Sequence, residues 1–377
     1  MSPRATARAS RARATGVGIV GCGVISDVYA AKLSSLPDLR VVACADLVPE
    51  RASELAAKHG IPLALEPEKL LRHPDVEIVL NLTIPAVHAR IAREALAAGK
   101  SVYGEKPLAL ALADGVRLLE KARRAGLRIG CAPDTFLGAG IQTCRKLIDD
   151  GAIGTPVAAN AFFQSPGPER WHPRPQVFYQ RGAGPVFDMA PYYLTALVAL
   201  LGPARRITSS ARITHARREI TSQPLAGTLM DVEVPTHVAA VIDFHAGPVA
   251  TLVTSFDVQA SRSRNIEIFG TEGTLSVPDP NTFGGPVQIR LRGDKEWRDV
   301  PLTHANAAQS RGIGLVEMAR ANRAGRPQRA SGELACHVLE LMELAIVASD
   351  SGRHRNTTTR CERPAPLAPG LPDNVFE

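Results

Sequence analysis

Between residues 16 and 134, short apolar runs alternate with stretches of helical periodicity, and few folds accommodate that alternation. The runs are GVGIVG (16–21), RVVACAD (40–46), EIVLNL (77–82), SVYG (101–104) and RIGCA (128–132). Between them, PERASELAAKHG (49–60) opens with Pro and closes on Gly, as helix termini prefer. VHARIAREALAAGK (87–100) sets Ile91, Ala95 and Ala98 on one stripe and ends at Gly99 in the same way. Strand and helix in strict turn predict a parallel sheet with crossover helices, a doubly wound α/β fold.

From about residue 135 the pattern changes. FLGAGIQTCRKLIDDGAIG (136–154) predicts a helix closed by a Gly-containing turn, and TPVAANAFFQ (155–164) begins strand-like material. HVAAVIDFH (237–245), VATLVTSFDV (249–258), RNIEIFG (264–270), GTLSVP (273–278) and VQIRLR (287–292) then follow closely, with turn residues between them. This predicts an α+β unit with a large, mostly antiparallel sheet. Strict alternation in VQIRLR leaves one face wet or paired with a partner. Helices are expected over 186–201, against the sheet or between the domains, and over 311–324 and 332–352. A chain of 377 residues exceeds one ordinary core. The expected divisions are a leader (1–14), a first domain (15–134), an α+β substrate and oligomerisation domain (135–355) and a Pro-rich tail (356–377). Pro364, Pro366, Pro369 and Pro372 predict a tail lying over the surface as coil.

The formal charge of +7 would suggest a nucleic-acid partner if it were spread over the fold. Arg4, Arg8, Arg11 and Arg13 sit in the leader, and discounting them leaves +3, so no nucleic acid is expected. The leader lacks an apolar segment, which argues against a secretory signal, and a disordered start or an over-extended reading frame is expected rather than a basic arm or a transit-like peptide. No apolar run approaches the roughly 18 residues of a membrane span, and a cytoplasmic protein is expected. The 6 cysteines are scattered without CxxC spacing, which predicts neither a metal site nor a disulfide frame.

GIVGCGVIS (18–26) ends the first strand with Gly21 and Gly23 and opens a helix at Val24 and Ile25. Glycines so spaced let backbone approach a pyrophosphate, whose charge meets the N–H groups of the helix terminus. Ser26 stands where a third glycine is usual. Asp46 ends the second strand, where a carboxylate accepts ribose hydroxyls. The order of strand, loop, helix, strand and acid predicts a Rossmann dinucleotide site. Asp46 would repel a 2′-phosphate, so NAD is expected, with Arg51 keeping NADP open.

NLTIPAVHARIAREALAAGKSVYGEKPLAL (81–110) carries Thr83, Pro85, His88, Glu105, Lys106 and Pro107. In that pattern, and in CADLVPERASELAAKHGIP before it, the chain resembles the Gfo/Idh/MocA family of sugar and cyclitol oxidoreductases over about residues 16 to 352. The resemblance implies Thr83, His88, Glu105 and Lys106 around the coenzyme, and a cis Lys106-Pro107 bond. Independently, a lysine at the carboxyl end of a parallel strand faces the ligand crevice. His88 is expected to pack near the nicotinamide rather than to catalyse.

GAGPVFDMAPYYLTAL (182–197) aligns with the family's second signature: a Gly-rich turn, an Asp, a His four residues on, and an Asp three beyond. Here these positions hold Gly182 and Gly184, Asp188, Tyr192 and Thr195. Spacing of four places Asp188 and Tyr192 on one helical face. An ordinary tyrosine is a poor base at neutral pH, and a nearby ammonium favours phenolate. The expected catalytic set is therefore Tyr192 as proton donor or acceptor, Lys106 as its tuner and substrate clamp, and Asp188 as the group orienting Lys106 or a substrate hydroxyl. Tyr193, on another side of the helix, is expected to pack.

SPGPERWHPRPQVFYQRGAG (165–184) brings Trp171, His172, Phe178 and Tyr179 as an apolar face for a sugar ring, with Arg170, Arg174 and Arg181 available to a phosphate. The same stretch also reads as a surface lid or an oligomer contact, and His172 rivals Tyr192 for proton transfer. The expected activity is oxidation of a secondary hydroxyl of a sugar, glycoside or cyclitol with NAD. An NADPH-dependent keto-sugar reductase on a nucleotide-linked sugar, and a non-catalytic dinucleotide sensor, stay open beside it. The resemblance further implies a homodimer or homotetramer through the C-terminal sheet.

Overall fold

The computed structural model describes residues 14–376, so the arginine-rich leader before Ala14 lies outside the described residues. Six strands form the first sheet: β1 (Thr15–Val20), β2 (Leu39–Ala45), β3 (Leu63–Leu65), β4 (Ile78–Asn81), β5 (Ser101–Gly104) and β6 (Ile129–Cys131). All pair in parallel in the order β3-β2-β1-β4-β5-β6. The order reverses between β1 and β4, and at that switch point the carboxyl ends of the strands open a crevice. The crossover helices are α1 (Val24–Leu33), α2 (Pro49–His59), α3 (Pro67–Arg72), α4 (His88–Ala97) and α5 (Leu112–Arg124). Each of the five apolar runs is a strand. The sixth strand, β3, was not anticipated; it is three residues long, lies at the sheet edge and is mostly exposed.

The rest of the chain builds a nine-stranded sheet. Its elements are α6 (Ala139–Asp149), β7 (Pro156–Gln164), α7 (Gly184–Asp188), α8 (Ala190–Leu201), β8 (Ala204–Arg212), β9 (Arg217–Glu219), β10 (Leu229–Asp231), β11 (His237–Phe244) and β12 (Val249–Ser255). They continue as β13 (Ile266–Gly270), β14 (Gly273–Val277), β15 (Val287–Leu291), β16 (Arg298–Val300), α9 (Ile313–Arg323), α10 (Gly332–Ser351) and β17 (Arg355–Asn356). The strand order is β16-β15-β14-β13-β7-β12-β11-β8-β17, with β9 and β10 apart as a small ribbon. Only the β7–β12 pair is parallel. Helices α6, α8 and α10 pack on this sheet. Ala240, Ile242, Ala250 and Leu252 are buried, and by alternation Val241 and Val249 point the opposite way and are exposed.

Three expectations need correcting. The helix expected over 186–201 is two helices, because Pro191 has no N–H to continue the ladder and its ring opposes the carbonyl four residues back. Asp188 therefore ends α7 and Tyr192 belongs to α8. The Pro-rich tail is coil, but not a surface covering: Leu367 and Phe376 are buried in the main core, and Arg320 lies over the Phe376 ring. Finally, the core runs through both sheets: Ile19 and Leu80 of the first share one apolar cluster with Leu252 and Ile268 of the second and with Leu315 and Leu339 of α9 and α10. In space, α9 and α10 pack against β6, and α10 also against α5.

Candidate active site

The loop after β1 is shaped for close approach. Gly21 has φ +98, and a Cβ there would stand 2.7 Å from the backbone of Leu82 and Thr83. At Gly23, the residue before α1, an added Cβ would meet nothing within 4 Å. No side chain caps α1, Val24 is exposed, and Ile25 packs inward on the core. Open space before an uncapped helix N-terminus fits a pyrophosphate. Ser26 is buried, and its hydroxyl donates to Gly23 O at 2.6 Å, closing the loop where the third glycine is missing. The Asp46 carboxylate accepts from Cys22 N at 2.8 Å and Val48 N at 2.9 Å, which orients it beside the glycine loop. These residues suit a dinucleotide.

The loops after β4 and β5 are tied together by His88. Its Nδ1 lies 2.7 Å from Pro107 O and its Nε2 2.9 Å from Thr83 O, with the ring buried. A ring clamped between two backbone carbonyls is a brace with no nitrogen left for substrate. Asn81 accepts from Thr83 N and Oγ1 and donates to His88 O, which fixes the same junction. The Lys106-Pro107 bond is cis. Glu105 accepts from the Tyr29 hydroxyl at 2.7 Å and from Lys106 N at 3.0 Å.

Lys106 reaches out of the first sheet to the second unit. Its Nζ donates to Asp188 Oδ1 at 2.8 Å and to Asp188 O at 2.5 Å. The helix break makes the second bond possible. In an unbroken helix Tyr192 N would bond Asp188 O, but here it bonds Met189 O at 3.2 Å, leaving the Asp188 carbonyl to the ammonium. The same ammonium stands 5.1 Å from the centroid of the Tyr192 ring. Burial pulls the Lys106 pKa down, but Asp188, Tyr192 and Glu105 outweigh it, and the net direction is upward.

The Tyr192 phenol corrects one expectation. Burial raises its pKa, Lys106 lowers it, Glu105 raises it and Arg311 lowers it, and the net direction is upward rather than downward. At neutral pH the group is a phenol, not a phenolate. Arg311, outside every motif, adds its positive charge to the surroundings of the phenol, while its guanidinium donates to Gln309 and Asn281. The signal available for it was slight: an arginine just before Gly312 and an apolar helical run. Tyr29 was missed for a similar reason, being one aromatic in an apolar helix.

The aromatic stretch divides. Tyr179 is fully buried, packs with Ile220, Met230, Val232 and Phe256, and donates to Glu169, which also pairs with Arg218. This overturns the expectation that Tyr179 offers a face to a sugar: its hydroxyl and ring are committed to a separate small core. Trp171 is 67% exposed and His172 half-buried, and the two meet Phe178 edge-on or tilted. His172 Nδ1 accepts from Arg174 N at 3.1 Å. Among the described residues no hydrogen bond joins His172 to Lys106, Asp188 or Tyr192. Arg170 donates to Gln259. Tyr193 accepts from Asn265 at 2.9 Å and packs edge-on to Phe163. Among the described residues no cluster of three or more His, Cys, Asp or Glu side chains could hold a metal ion, and no helix is long and apolar enough to cross a membrane.

Comparisons with known proteins identify the family and the fold. Residues 15–132 match the family model described as an oxidoreductase family with an NAD-binding Rossmann fold, and residues 141–276 match the GFO/IDH/MocA C-terminal domain. Myo-inositol 2-dehydrogenase of Thermotoga maritima is 24% identical over 261 residues, covering 69% of this chain and 74% of that protein. Trans-1,2-dihydrobenzene-1,2-diol dehydrogenase of Bos taurus is 26% identical over 304 residues, 79% of this chain and 84% of its own. A levoglucosan dehydrogenase solved with NADH and L-sorbose shares the fold at a TM-score of 0.79 and 19% identity, covering 91% of this chain and 99% of that one. The chain belongs to the GFO/IDH/MocA family of oxidoreductases and carries that family's NAD-binding Rossmann fold.

Proposed function

We propose that this oxidoreductase moves a hydride between NAD and a secondary carbinol carbon of a sugar, glycoside or cyclitol, with Tyr192 exchanging the hydroxyl proton. The observation that carries this reading is the meeting of Lys106, Asp188 and the Tyr192 ring at the carboxyl ends of the parallel strands. Relatives named for inositol and for anhydrofructose support the substrate class. The bound nicotinamide supplies the hydride acceptor or donor. Everything else falls to side chains. Lys106 has three N–H donors. Asp188 takes two of them, and the third is free for a substrate hydroxyl. In reduction the phenol O–H breaks and its proton passes to the alkoxide. Oxidation uses the same group after it has lost its own proton to water: the alcohol O–H breaks and its proton passes to the Tyr192 phenolate, which, its pKa being raised, is more available at alkaline pH. Glu105, Thr83 and His88 shape the coenzyme side of the crevice, and Trp171 and His172 offer an outer face to the substrate. Asp46, followed by exposed Leu47, supports NAD over NADP, since a carboxylate repels a 2′-phosphate.

A second reading, a keto-sugar reductase, draws support from the raised Tyr192 pKa, because a neutral phenol is ready to give a proton. A panel of polyols, glycosides and their ketones, followed by nicotinamide absorbance at neutral and alkaline pH, separates the two directions. Coenzyme binding without turnover of any member would indicate a sensor instead. Tyr192→Phe is expected to lower kcat by about 10²- to 10⁴-fold. Retention of most of the turnover would refute the role given to the phenol. We also infer a homodimer or homotetramer through the sheet face that carries Val241 and Val249. Light scattering that returned a single copy would exclude it.

A further inference from the structure

Helix α1 carries two polar ties on one buried face, made up of Ser26, Tyr29, Ala30 and Leu33. Ser26 closes the glycine loop through Gly23 O, and Tyr29 has no exposed surface. The loop before α9 walls in the Tyr29 ring: a Cβ at Gly312 would stand 3.5 Å from Tyr29 Cδ1. Packing alone would be served by phenylalanine, because a buried hydroxyl is costly unless it finds a partner. This hydroxyl donates to Glu105 Oε1 at 2.7 Å. Burial and the neighbouring Glu105 hold the Tyr29 pKa well above its ordinary value, so the O–H remains a donor across the working range.

Glu105 stands where the chain leaves the first sheet. Its own N–H still bonds Asn81 O of β4 at 2.9 Å, whereas the next amide, Lys106 N–H, has no backbone acceptor among the described residues. That amide donates instead to Glu105 Oε2 at 3.0 Å. One carboxylate oxygen is thus held by α1, and the other holds Lys106, whose Nζ runs on to Asp188. On the far side of Lys106, His88 holds Pro107 O at 2.7 Å.

We propose that Tyr29 is a positioning residue for Lys106, acting through the Glu105 carboxylate. The inference rests on the part given above to Lys106, not on that of Tyr192. Without the hydroxyl, the carboxylate is free to turn, the Lys106 amide loses its acceptor, and the ammonium loses its fixed starting point on the main chain. A small misplacement of a group at the reacting centre is expensive, so the loss is felt in kcat although the fully buried Tyr29 faces neither substrate nor coenzyme. Because α1 also presents its uncapped N-terminus to the pyrophosphate, Tyr29 sets the lysine in register with the coenzyme.

Backbone amide exchange reads this tie in the full chain, without substrate or coenzyme. Tyr29→Phe is expected to speed exchange at Lys106 about tenfold or more. The amides of Leu82, bonded to Val20 O, and Val102, bonded to Arg128 O, are expected to keep their rates. Glu105→Gln is expected to speed Lys106 as well, and adding Tyr29→Phe to it to change little more, since both cut one chain of contacts. Replacing Tyr29 with 4-aminophenylalanine keeps ring and donor and is expected to restore the slow rate. If Tyr29→Phe does not fold, as judged by circular dichroism, 4-fluorophenylalanine takes its place, filling the space of the hydroxyl without donating. On a substrate from the panel above, Tyr29→Phe is expected to lower kcat about tenfold, with the NADH dissociation constant, read by fluorescence, held within about threefold. An unchanged Lys106 rate overturns the inference, and so does equal acceleration at Lys106, Leu82 and Val102, which marks a loss of packing. Faster exchange with unaltered kcat also overturns it, because the tie is then idle in the reaction. If no member of the panel turns over, the exchange rates alone decide, and the reading of Lys106 as a substrate clamp fails separately. If Tyr192→Phe keeps its turnover while Tyr29→Phe loses it, the proton role of Tyr192 falls and the positioning of Lys106 by Tyr29 stands.

Discussion

Lys106 directs two of its three donors at Asp188, and only one of those two acceptors is a charge. The backbone carbonyl would survive replacement of the carboxylate, so Asp188→Asn keeps Lys106 near its place but removes the charge that holds its pKa up. Burial then dominates and the pKa falls. A lysine that must be protonated acts below its pKa and fails above it, so the alkaline limit of kcat/KM is expected to move to lower pH in Asp188→Asn, with a loss of about 10- to 1000-fold at the optimum. A pH–rate profile that keeps its alkaline limit would show that the carboxylate does not tune Lys106. The residues of this site were unevenly legible. Glu105, Lys106 and Asp188 stand in short motifs whose spacing has a mechanical meaning. Arg311 stands in none, because its charge acts on Tyr192 from a segment more than a hundred residues away rather than from any local pattern. The direction of the Tyr192 shift was equally hidden, since it depends on burial that only the folded packing sets.

At the level of elements, the break between α7 and α8 does more than turn the chain. Tyr192 N bonds Met189 O, and the unused Asp188 carbonyl becomes a ligand for the ammonium. Pro191→Ala restores the missing N–H and removes the ring, so the two helices can join and Tyr192 N can compete for Asp188 O. The expected outcome is an unchanged or higher melting temperature with kcat/KM lowered at least about tenfold. Equal losses of stability and activity would instead mark Pro191 as a packing residue. Pro191 was visible in the sequence, and the continuous helix expected over it ignored a local rule in favour of apolar composition. Strands β1, β2, β4, β5 and β6 were legible because each is an apolar run between turn residues. β8 (Ala204–Arg212) was not, since its ARRITSSAR reads as polar and takes its place through pairing with β11 along its length. In the same way, the aromatic content of residues 165–184 was plain, but which rings face inward was not: Tyr179 is buried and Trp171 exposed for reasons that lie in β9, β10 and their neighbours.

Across the whole molecule, segments far apart in sequence share one interior. Phe376 has no exposed surface and lies under Arg320, whose guanidinium also pairs with Asp38 in the turn before β2. Phe376→Ala is expected to cost about 3–5 kcal/mol of stability, read as a shift in the urea midpoint. A cost below about 1 kcal/mol would mean that the tail merely rests on the fold. Composition marked the tail as lacking regular structure, and residues 357–376 are coil and turns, yet it carries no information on where one aromatic will be buried. The junction near residue 134 was legible as a change of pattern, whereas the sharing of core across it was not. Because α9 and α10 rest on β6 and α5 although they follow the nine-stranded sheet in the chain, a chimera cut at that junction would inherit helices shaped for another protein's coenzyme half. Productive recombination with a relative would need a second crossover before α9, exchanging both ends together and leaving only the middle as a movable cassette.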